Sequence, residues 1–436
     1  MRNKLKITLI VVSFCILVIA PVNGLQSSLT YNERKTTFLN VDDISLPPPL
    51  VIDIPLEEII MQRMSMRSFT DDPVTDEELA TVLWCAYGLR DDGELTVPKF
   101  NGNHACVIYV LKEDAVYTYD PDAHSLVFYK EGDYRSKVGT QYEAPVQIGL
   151  CWNTDIADAN IGCAEIGAVG QNIYFVAIGI GLGTVVTAEI PPAINPIGLP
   201  SNHHGMAVMP LGHPEFDYNF VYRPMLFSLL PRIKNSNIGL TEVLENRNEV
   251  TSWDSESINR ADLSHLIWAS YGYSYYLDRS DSGNPVKRHH TVPSAHGYYP
   301  LRIYALKKNG ISQYIYGIYK VDTLGLPVVS FLLPRVLGDK RNEIAEASES
   351  FVSGAPLSII IVCDIELTNQ WDDLSDESLR WIWYYEAGAA AHNIILQATS
   401  RGLSGNIVSI NDKSAICSVL KLNEQDFDPL LIVPVG

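Results

Sequence analysis

The sequence lacks the short motifs that identify many hydrolases, nucleotide-binding enzymes and metalloproteins. It contains no G-x-S-x-G, no H-E-x-x-H and no P-loop, so a hydrolase or a P-loop nucleotidase has no anchor residues in this chain. Adjacent histidines, His203 with His204 and His289 with His290, point in different directions from the backbone, and no third ligand has matching spacing. We therefore predict no metal site.

Basic residues are scarce relative to acidic ones. The chain has 32 Lys and Arg against 51 Asp and Glu, which gives a net charge of −19 at pH 7. Nucleic acid and anionic membrane surfaces both attract proteins through clustered positive charge. We therefore expect no nucleic acid and no anionic membrane surface as partner, and the charge is typical of a soluble protein.

Paired cysteines are also missing. The seven cysteines include no C-x-x-C pair and show no zinc-ligand spacing. Six of them follow residue 24, and most of these lie among apolar neighbours, which predicts buried free thiols. A disulfide stays open as an alternative, although the spacing names no pair.

Residues 1–24 have the pattern of a secretory signal. Three basic residues precede an apolar run from residue 7 to residue 20, and Val22 and Gly24 occupy the minus-three and minus-one positions of a cleavage site. We predict cleavage after Gly24 and an exported protein, with no stable membrane span in the mature chain. The alternative is an uncleaved membrane anchor, although the apolar run is short for a span.

One long segment occurs twice in the chain. Residues 165–183, EIGAVGQNIYFVAIGIGLG, return as residues 386–404, EAGAAAHNIILQATSRGLS, at a constant offset of 221 and without a gap. Each copy predicts a helix that is apolar nearly all round and rich in Gly and Ala, so another backbone should lie close against it. We expect the two helices to pack on each other.

Other matched segments indicate that a whole domain is doubled. Residues 79–88 match 263–272, and residues 95–111 match 290–306. In the first copy a helix is predicted over 56–66, a second helix with a Thr75 and Glu78 capping box follows, and several strands come next, including one over 184–190. Strands outnumber helical crossovers, so we predict an α+β fold. The predicted divisions are a signal at 1–24, an extended arm at 25–55, a first domain at 56–232 and a second domain at 233–436.

The order of motifs in each half resembles the FMN-dependent nitroreductase superfamily. The stretches that carry the resemblance are R-x-S-x-R-x-F at 63–69, W-x-A-Y-G at 84–88, Y-x-Y-D-P at 117–121, G-L-G at 181–183 and T-x-P-S-A at 291–295. The branch that contains the azoline dehydrogenases of peptide modification is the most similar. The resemblance covers nearly all of residues 56–436, once per half. It implies two tandem nitroreductase-like domains that form an intramolecular pseudo-dimer and act as a monomer.

In that family two copies of the domain form a dimer, and each FMN lies at the interface. The resemblance implies that one copy supplies the R-x-S-x-R segment, the loop after G-L-G and a basic residue near the domain's end, while the other supplies the P-S-A loop. Arginine suits a phosphate or the N1/O2 edge of a flavin, and the flavin itself transfers the hydride, so no catalytic side chain is implied. The implied cofactor-binding residues are Arg63, Ser65, Arg67, Gly181, Gly183, Ala188, Glu189, Arg223, Pro293, Ser294, Ala295 and Gly297.

We predict one flavin site instead of two. The second half has Glu249 where the first half has Ser65, and a carboxylate would repel a phosphate. The first half has Lys99 where the second half has Ser294, and the longer side chain would crowd a flavin ring. We expect no counterpart of Arg223 in the second half. These losses remove one site completely and leave the other whole, with groups from both halves.

The implied function is that of an exported FMN-dependent oxidoreductase. Its partners would be a small-molecule electron donor and an acceptor such as a nitro compound, a quinone or an azoline. The alternative is a non-catalytic flavin-binding or ligand-binding protein with the same fold. Export bears on this choice because NAD(P)H is scarce outside the cytoplasm.

Overall fold

The computed structural model describes residues 43–139, 141–189, 191–222, 227–254, 257–278, 287–318, 328–368 and 382–436. All of these residues belong to one compact unit. The predicted signal, most of the predicted arm and Arg223 lie outside the described residues.

Strands and helices follow one another in nearly the same order in both halves. The strands of the first half are β1 Ile44–Ser45, β2 Cys106–Leu111, β3 Ala115–Asp120, β4 Ser125–Glu131, β5 Val146–Asn153, β6 Gly183–Thr184 and β7 His203–Gly212. The chain then adds β8 Phe220–Tyr222, β9 Phe227–Ser228, β10 Tyr273–Asp278, β11 Lys287–His290, β12 Leu301–Lys307, β13 Gly310–Ile318, β14 Val328–Leu337, β15 Leu357–Asp364, β16 Val408–Ser409 and β17 Phe427–Val435. The helices are α1 Leu56–Gln62, α2 Asp76–Tyr87, α3 Arg135–Val138, α4 Ala159–Gly179, α5 Leu240–Asn246, α6 Arg260–Tyr271, α7 Arg341–Glu346, α8 Ile365–Thr368, α9 Ile382–Ser400 and α10 Lys413–Leu420. Three 3₁₀ turns occur at Asn195–Ile197, Ala295–Gly297 and Ser350–Gly354.

Each half builds one large sheet, and the two sheets have equivalent strand orders. The first runs β1-β4-β3-β2-β5-β7-β6, and the second runs β9-β14-β13-β12-β15-β17-β16. Among the described strands every pairing is antiparallel except that of β9 with β14. This confirms the predicted α+β class. The predicted boundary after residue 232 stays a prediction, and β8 and β9, which precede it, pair with strands of the second half.

Helix α2 carries the predicted capping box. The Thr75 side chain accepts the N–H of Glu78, and the Glu78 carboxylate accepts the N–H of Thr75 at 2.8 Å. In the second half, the side chain of Asn259 caps helix α6 by accepting the N–H groups of Ala261 and Asp262. The cap fixes where the chain leaves the loop that follows the R-x-S-x-R segment, because it satisfies N–H groups that a helix start otherwise leaves unpaired.

Helices α4 and α9 pack on each other at the centre of the protein, as their composition predicts. A Cβ built on Gly388 would lie 1.8 Å from the carbonyl oxygen of Ala164, and one on Gly167 would lie 2.0 Å from that of Tyr385. Only glycine allows two backbones to approach this closely. One core cluster contains side chains from both halves. Of the described helices, only α4 is long and apolar enough to cross a membrane, and it is buried within the protein.

Two predicted elements are shorter in the structure. Helix α1 ends at Gln62, not at residue 66, because the chain extends from Arg63 and the N–H of Met66 donates to Thr184 O at 2.9 Å. The strand predicted over 184–190 is reduced to β6 and one bridge at Thr187. Between them the N–H of Val186 donates to a tyrosine hydroxyl at 2.8 Å instead of a neighbouring strand.

The six cysteines after residue 24 are buried, and none of them forms a disulfide within the described residues, which confirms that prediction. Burial raises the pKa of the Cys417 thiol to about 11. Thiols with a raised pKa carry little thiolate near neutral pH and are poor nucleophiles. The Cys417 thiol is therefore a poor nucleophile near neutral pH.

Either half expressed alone is expected to aggregate or self-associate. Residues 25–235 without the second half would expose the face of α4 that packs on α9, and large exposed apolar patches drive association. They would also leave the amide of Gln171 without Asn393, which pairs with it at 3.0 Å, and Asn172 without His392 at 2.7 Å. Size-exclusion chromatography with light scattering measures this, beside the full chain as control. A monodisperse, folded monomer of residues 25–235 would refute the expectation.

Candidate functional site

A cleft of about 260 Å³ lies where the two halves meet. The first half contributes Ser65, Arg67, residues 141–142 and residues 185–188 to its walls. The second half contributes residues 293–296 and the start of α9. Neither half could form this cleft alone.

The cleft joins predicted residues from both halves. The six that line it are Ser65, Arg67 and Ala188 from the first half and Pro293, Ser294 and Ala295 from the second. The two groups are more than a hundred residues apart in the sequence, and the packing of α4 on α9 brings them together. The predicted P-S-A loop therefore faces the predicted R-x-S-x-R segment across one cleft.

Ser65 is held by the first half's own helix α4. Its hydroxyl lies 3.0 Å from that of Tyr174, which also accepts the N–H of Val186 at 2.8 Å. Tyr174 is fully buried, so its hydroxyl holds both Ser65 and the segment around Val186 in place. The Ser65 side chain is consequently positioned before any ligand arrives.

Arg67 is exposed at the edge of the cleft. Its Nη1 donates to Ser65 O at 3.1 Å, which is its one hydrogen bond among the described residues. A guanidinium carries five N–H donors in a planar fork. Most of these donors are available to an anion or to a ring carbonyl in the cleft.

Arg63 lies behind the cleft and not in its lining. It is 3% exposed, its Nε donates to His290 O at 2.9 Å across the two halves, and its guanidinium carbon is 5.1 Å from the centre of the Tyr174 ring. Its Nη1 has no partner among the described residues. A buried donor left unpaired costs about 1–3 kcal/mol, so a bound group that accepts from it is favoured.

In the second half, an ion pair occupies the positions equivalent to Arg63 and Ser65. Glu249 Oε1 accepts the N–H of Lys99 at 3.0 Å and lies 2.8 Å from Nη1 of Arg247. Arg247 is buried and donates through Nη2 to two backbone carbonyl oxygens of the first half, at 2.8 and 2.9 Å. An ion pair thus stands at the position that Ser65 occupies in the first half, and it contacts the backbone of Lys99, the counterpart of Ser294.

Four further predicted residues of the described part of the chain do not line the cleft: Gly181, Gly183, Glu189 and Gly297. Gly181 has φ of +82° and Gly297 has φ of +74°, a backbone conformation that favours glycine. A Cβ on Gly183 would meet a methionine sulfur at 2.8 Å. Glu189 accepts from Gln141 Nε2 at 3.1 Å near the cleft's edge.

The start of α9 forms a wall that the sequence analysis did not assign. Ile382, Trp383, Tyr385 and Glu386 line the cleft. Glu386 is buried, with 2% of its surface exposed, and burial raises the pKa of its carboxyl to about 8. The sequence contained one signal for it, since a carboxylate inside an otherwise apolar helix is rarely placed there without a partner.

The sequence model of the family described as "Nitroreductase family" matches residues 60–213 and residues 244–436. The chain belongs to the nitroreductase family. The two matches cover most of the chain, one in each half, so the nitroreductase domain is present as a tandem duplication. The predicted placement in the azoline dehydrogenase branch stays a prediction.

Individual nitroreductases resemble either one half or the whole chain. The "Putative nitroreductase MJ1384" of Methanocaldococcus jannaschii is 31% identical over 209 residues, which span 48% of this chain and 94% of that protein. A solved "putative nitroreductase" from Anabaena variabilis superposes with a TM-score of 0.60 at 14% identity, over 91% of this chain and 93% of its own. Another, from Desulfovibrio desulfuricans in complex with FMN, is 22% identical with a TM-score of 0.28, over 36% of this chain and 85% of its own. The Anabaena protein therefore shares its fold with both domains of this chain.

Proposed function

We propose that this nitroreductase-family oxidoreductase binds one FMN per chain in the cleft. In this proposal it passes reducing equivalents from a small-molecule donor to a nitro compound, a quinone, an azoline or a similar acceptor. The observation that carries the proposal is the joining of Ser65, Arg67 and Ala188 with Ser294 and Ala295 in one cleft. The repeat-equivalent position of Ser65 holds Glu249 in an ion pair with Arg247, which supports one site per chain.

The residues present fit a flavin. Arg67 offers guanidinium donors to a phosphate or to the pyrimidine edge of the ring, where negative charge develops on reduction. Ala188, Ser294 and Ala295 are small enough for a flat ring to lie close to the backbone. Arg63 adds a buried N–H that has no partner among the described residues. When bound, FMN supplies the hydride chemistry.

The chain's own residues bind, orient and shield. Tyr174 fixes Ser65 at one wall, and Tyr299 N–H donates to Ser294 Oγ at 2.9 Å and fixes the other. Trp383 and the apolar side chain of Ile382 cover part of the cleft, which limits water at the reacting edge. A planar acceptor would lie among these apolar groups.

Arg67→Ala is expected to weaken FMN binding by about 10- to 100-fold. A charge-assisted hydrogen bond contributes roughly 1.5–3 kcal/mol, and about 1.4 kcal/mol corresponds to a factor of ten. The measurement is the dissociation constant from quenching of flavin fluorescence, together with flavin content per chain after purification.

Lys99→Ala is the matched control for Arg67→Ala. Lys99 occupies the position equivalent to Ser294, and its Nζ forms a partly exposed ion pair with Glu94 at 2.5 Å. Its loss should therefore leave FMN binding nearly unchanged. Arg247 is a poor control, because its buried guanidinium holds both halves together and its removal would destabilise the chain. Two FMN per chain, or affinity that falls with Lys99 and not with Arg67, would contradict the single site.

The absorbance spectrum of the purified protein separates an oxidoreductase from a non-catalytic binder. We propose, as the sequence predicts, that the protein is exported from the cytoplasm. Because NAD(P)H is scarce outside the cytoplasm, the electron donor would be another small molecule. A yellow protein that is bleached by a small-molecule donor and recovers its colour with a quinone supports turnover. A yellow protein that is bleached by dithionite and by no physiological class of donor favours the binder.

A further inference from the structure

Glu386 and Glu165 are repeat-equivalent carboxylates in different surroundings. Glu165 Oε2 accepts the backbone N–H groups of Ala105 and Cys106 at 2.6 and 3.0 Å, and its Oε1 accepts from Tyr87 Oη at 2.8 Å. Backbone N–H groups favour the charged form of a carboxyl. Glu165 is therefore tied to the start of β2 and does not line the cleft.

A proline changes this arrangement in the second half. Pro300 stands at the position of Ala105 and has no N–H to donate. The next N–H, of Leu301, donates to Tyr271 Oη at 3.2 Å and not to the carboxylate. Among the described residues, the hydrogen-bond partners of the Glu386 carboxyl are two hydroxyls, Tyr271 Oη and, at 2.7 Å, Ser294 Oγ.

Ser294 connects this carboxyl with the cleft. Both residues line the cleft, and the Ser294 hydroxyl is oriented by the N–H of Tyr299 at 2.9 Å. A hydroxyl can accept one proton while it donates another. The first half has no such path, because Lys99 stands at the position of Ser294.

We propose that Glu386 and Ser294 form a proton relay that serves the electron acceptor in the cleft. The proposal rests on the proposed function, in which bound FMN would supply the hydride that the acceptor takes up. A quinone that takes one hydride and one proton becomes a hydroquinone. The Ser294 hydroxyl gives its proton to the acceptor oxygen and takes the proton of the Glu386 carboxyl. The carboxylate that remains regains a proton from water after the product leaves.

The surroundings of Glu386 suit a group that carries a proton at neutral pH. Burial raises the pKa of its carboxyl, and burial likewise raises the pKa values of the tyrosine hydroxyls around it, which stay neutral. The titratable and charged groups that face it from the packed elements are Tyr271 on α6, Tyr299 before β12, Tyr316 on β13, and His290 and Arg63 beyond Tyr299. Burial and the nearby Arg63 hold the pKa of His290 well below its usual range.

The proton can be observed without flavin or acceptor. Infrared spectra of the full chain should contain a protonated-carboxyl carbonyl band at pH 7 that disappears as the pH rises beyond about 8. Glu386→Gln should remove this band, and Glu165→Gln, the repeat-equivalent control, should keep it. Pro300→Ala restores the missing N–H and should move the loss of the band to lower pH. Absence of a Glu386-dependent band at pH 7, or no shift with Pro300→Ala in a folded chain, would overturn the proposal.

Kinetics of the flavin-loaded protein test the role of the relay. Reoxidation by a quinone, which needs a proton, should be about 10²- to 10⁴-fold slower in Glu386→Gln and Ser294→Ala. Reoxidation by ferricyanide, which takes electrons without a proton, should be slowed much less than reoxidation by the quinone. Equal loss with both oxidants, or unchanged quinone rates, would overturn the relay. A wild type that binds no flavin would refute the proposed function instead, and that outcome is visible in the absorbance spectrum before any variant is compared.

Discussion

Ser294→Phe is expected to abolish flavin binding, although this residue lies far along the sequence from Arg67. The Ser294 side chain is at the wall of the cleft formed by the P-S-A loop, and the start of α9 closes the space behind it. A phenyl ring there would occupy the volume that a planar ring requires, and packed surroundings do not yield to added volume without strain. We expect flavin content per chain to fall from about one to nearly zero, measured by absorbance after denaturation of the purified protein.

The control for this variant is the same substitution at the other site. Lys99 occupies the repeat-equivalent position, and its side chain is partly exposed beside Glu94. Lys99→Phe should leave flavin content unchanged, and both variants should unfold cooperatively near the wild-type temperature. Normal flavin content in Ser294→Phe, or its loss in Lys99→Phe alone, would place the flavin elsewhere.

Gly388→Val is expected to destabilise the protein by more than about 4 kcal/mol, which is among the largest effects of single substitutions. A Cβ at this position would lie 1.8 Å from the carbonyl oxygen of Ala164. The obstacle is backbone and not a flexible side chain, so α4 and α9 would have to move apart. This would separate the two sheets from their common core and open the cleft. Chemical denaturation of the full chain measures the free energy of unfolding.

Gly354→Ala is the control for the helix contact. A Cβ on Gly354 meets only one carbon of Trp253, at 3.9 Å, which is an ordinary contact distance. We expect its free energy of unfolding to change by less than about 1 kcal/mol. A tolerated Gly388→Val in a chain that keeps wild-type stability would show that the helices do not pack as described.

The fold was predictable from the sequence because the same local patterns of helix caps, strands and apolar helices occur in both halves. The capping residues, the alternating strands and the Gly- and Ala-rich helices occur twice in one order, so an α+β domain and its duplication could both be inferred. Element ends were less predictable. Helix α1 stops at Gln62 and β6 stops at Thr184 because hydrogen bonds to distant groups, at Thr184 and Tyr174, replace the local ones.

The candidate site was predictable only in part. The resemblance named Ser65, Arg67 and the P-S-A loop, and the structure brings them into one cleft. It also named Arg63, which lies behind the cleft. The predicted role of Arg223 stays a prediction, since that residue lies outside the described residues.

By itself the sequence determined the duplication and the family. From residue types at matched positions it also predicts the loss of one site. Only the tertiary structure decided what Glu249 and Glu386 do, because a carboxylate's role depends on the donors around it. Glu249 forms an ion pair with Arg247 and accepts the N–H of Lys99. Glu386 lacks the backbone N–H donor that Ala105 gives to Glu165, because Pro300 stands at that position, and its carboxyl contacts the Ser294 hydroxyl instead. Lys99, Tyr271 and Ser294 are far in sequence from the carboxylates that they contact, so only the folded chain brings these donors to them.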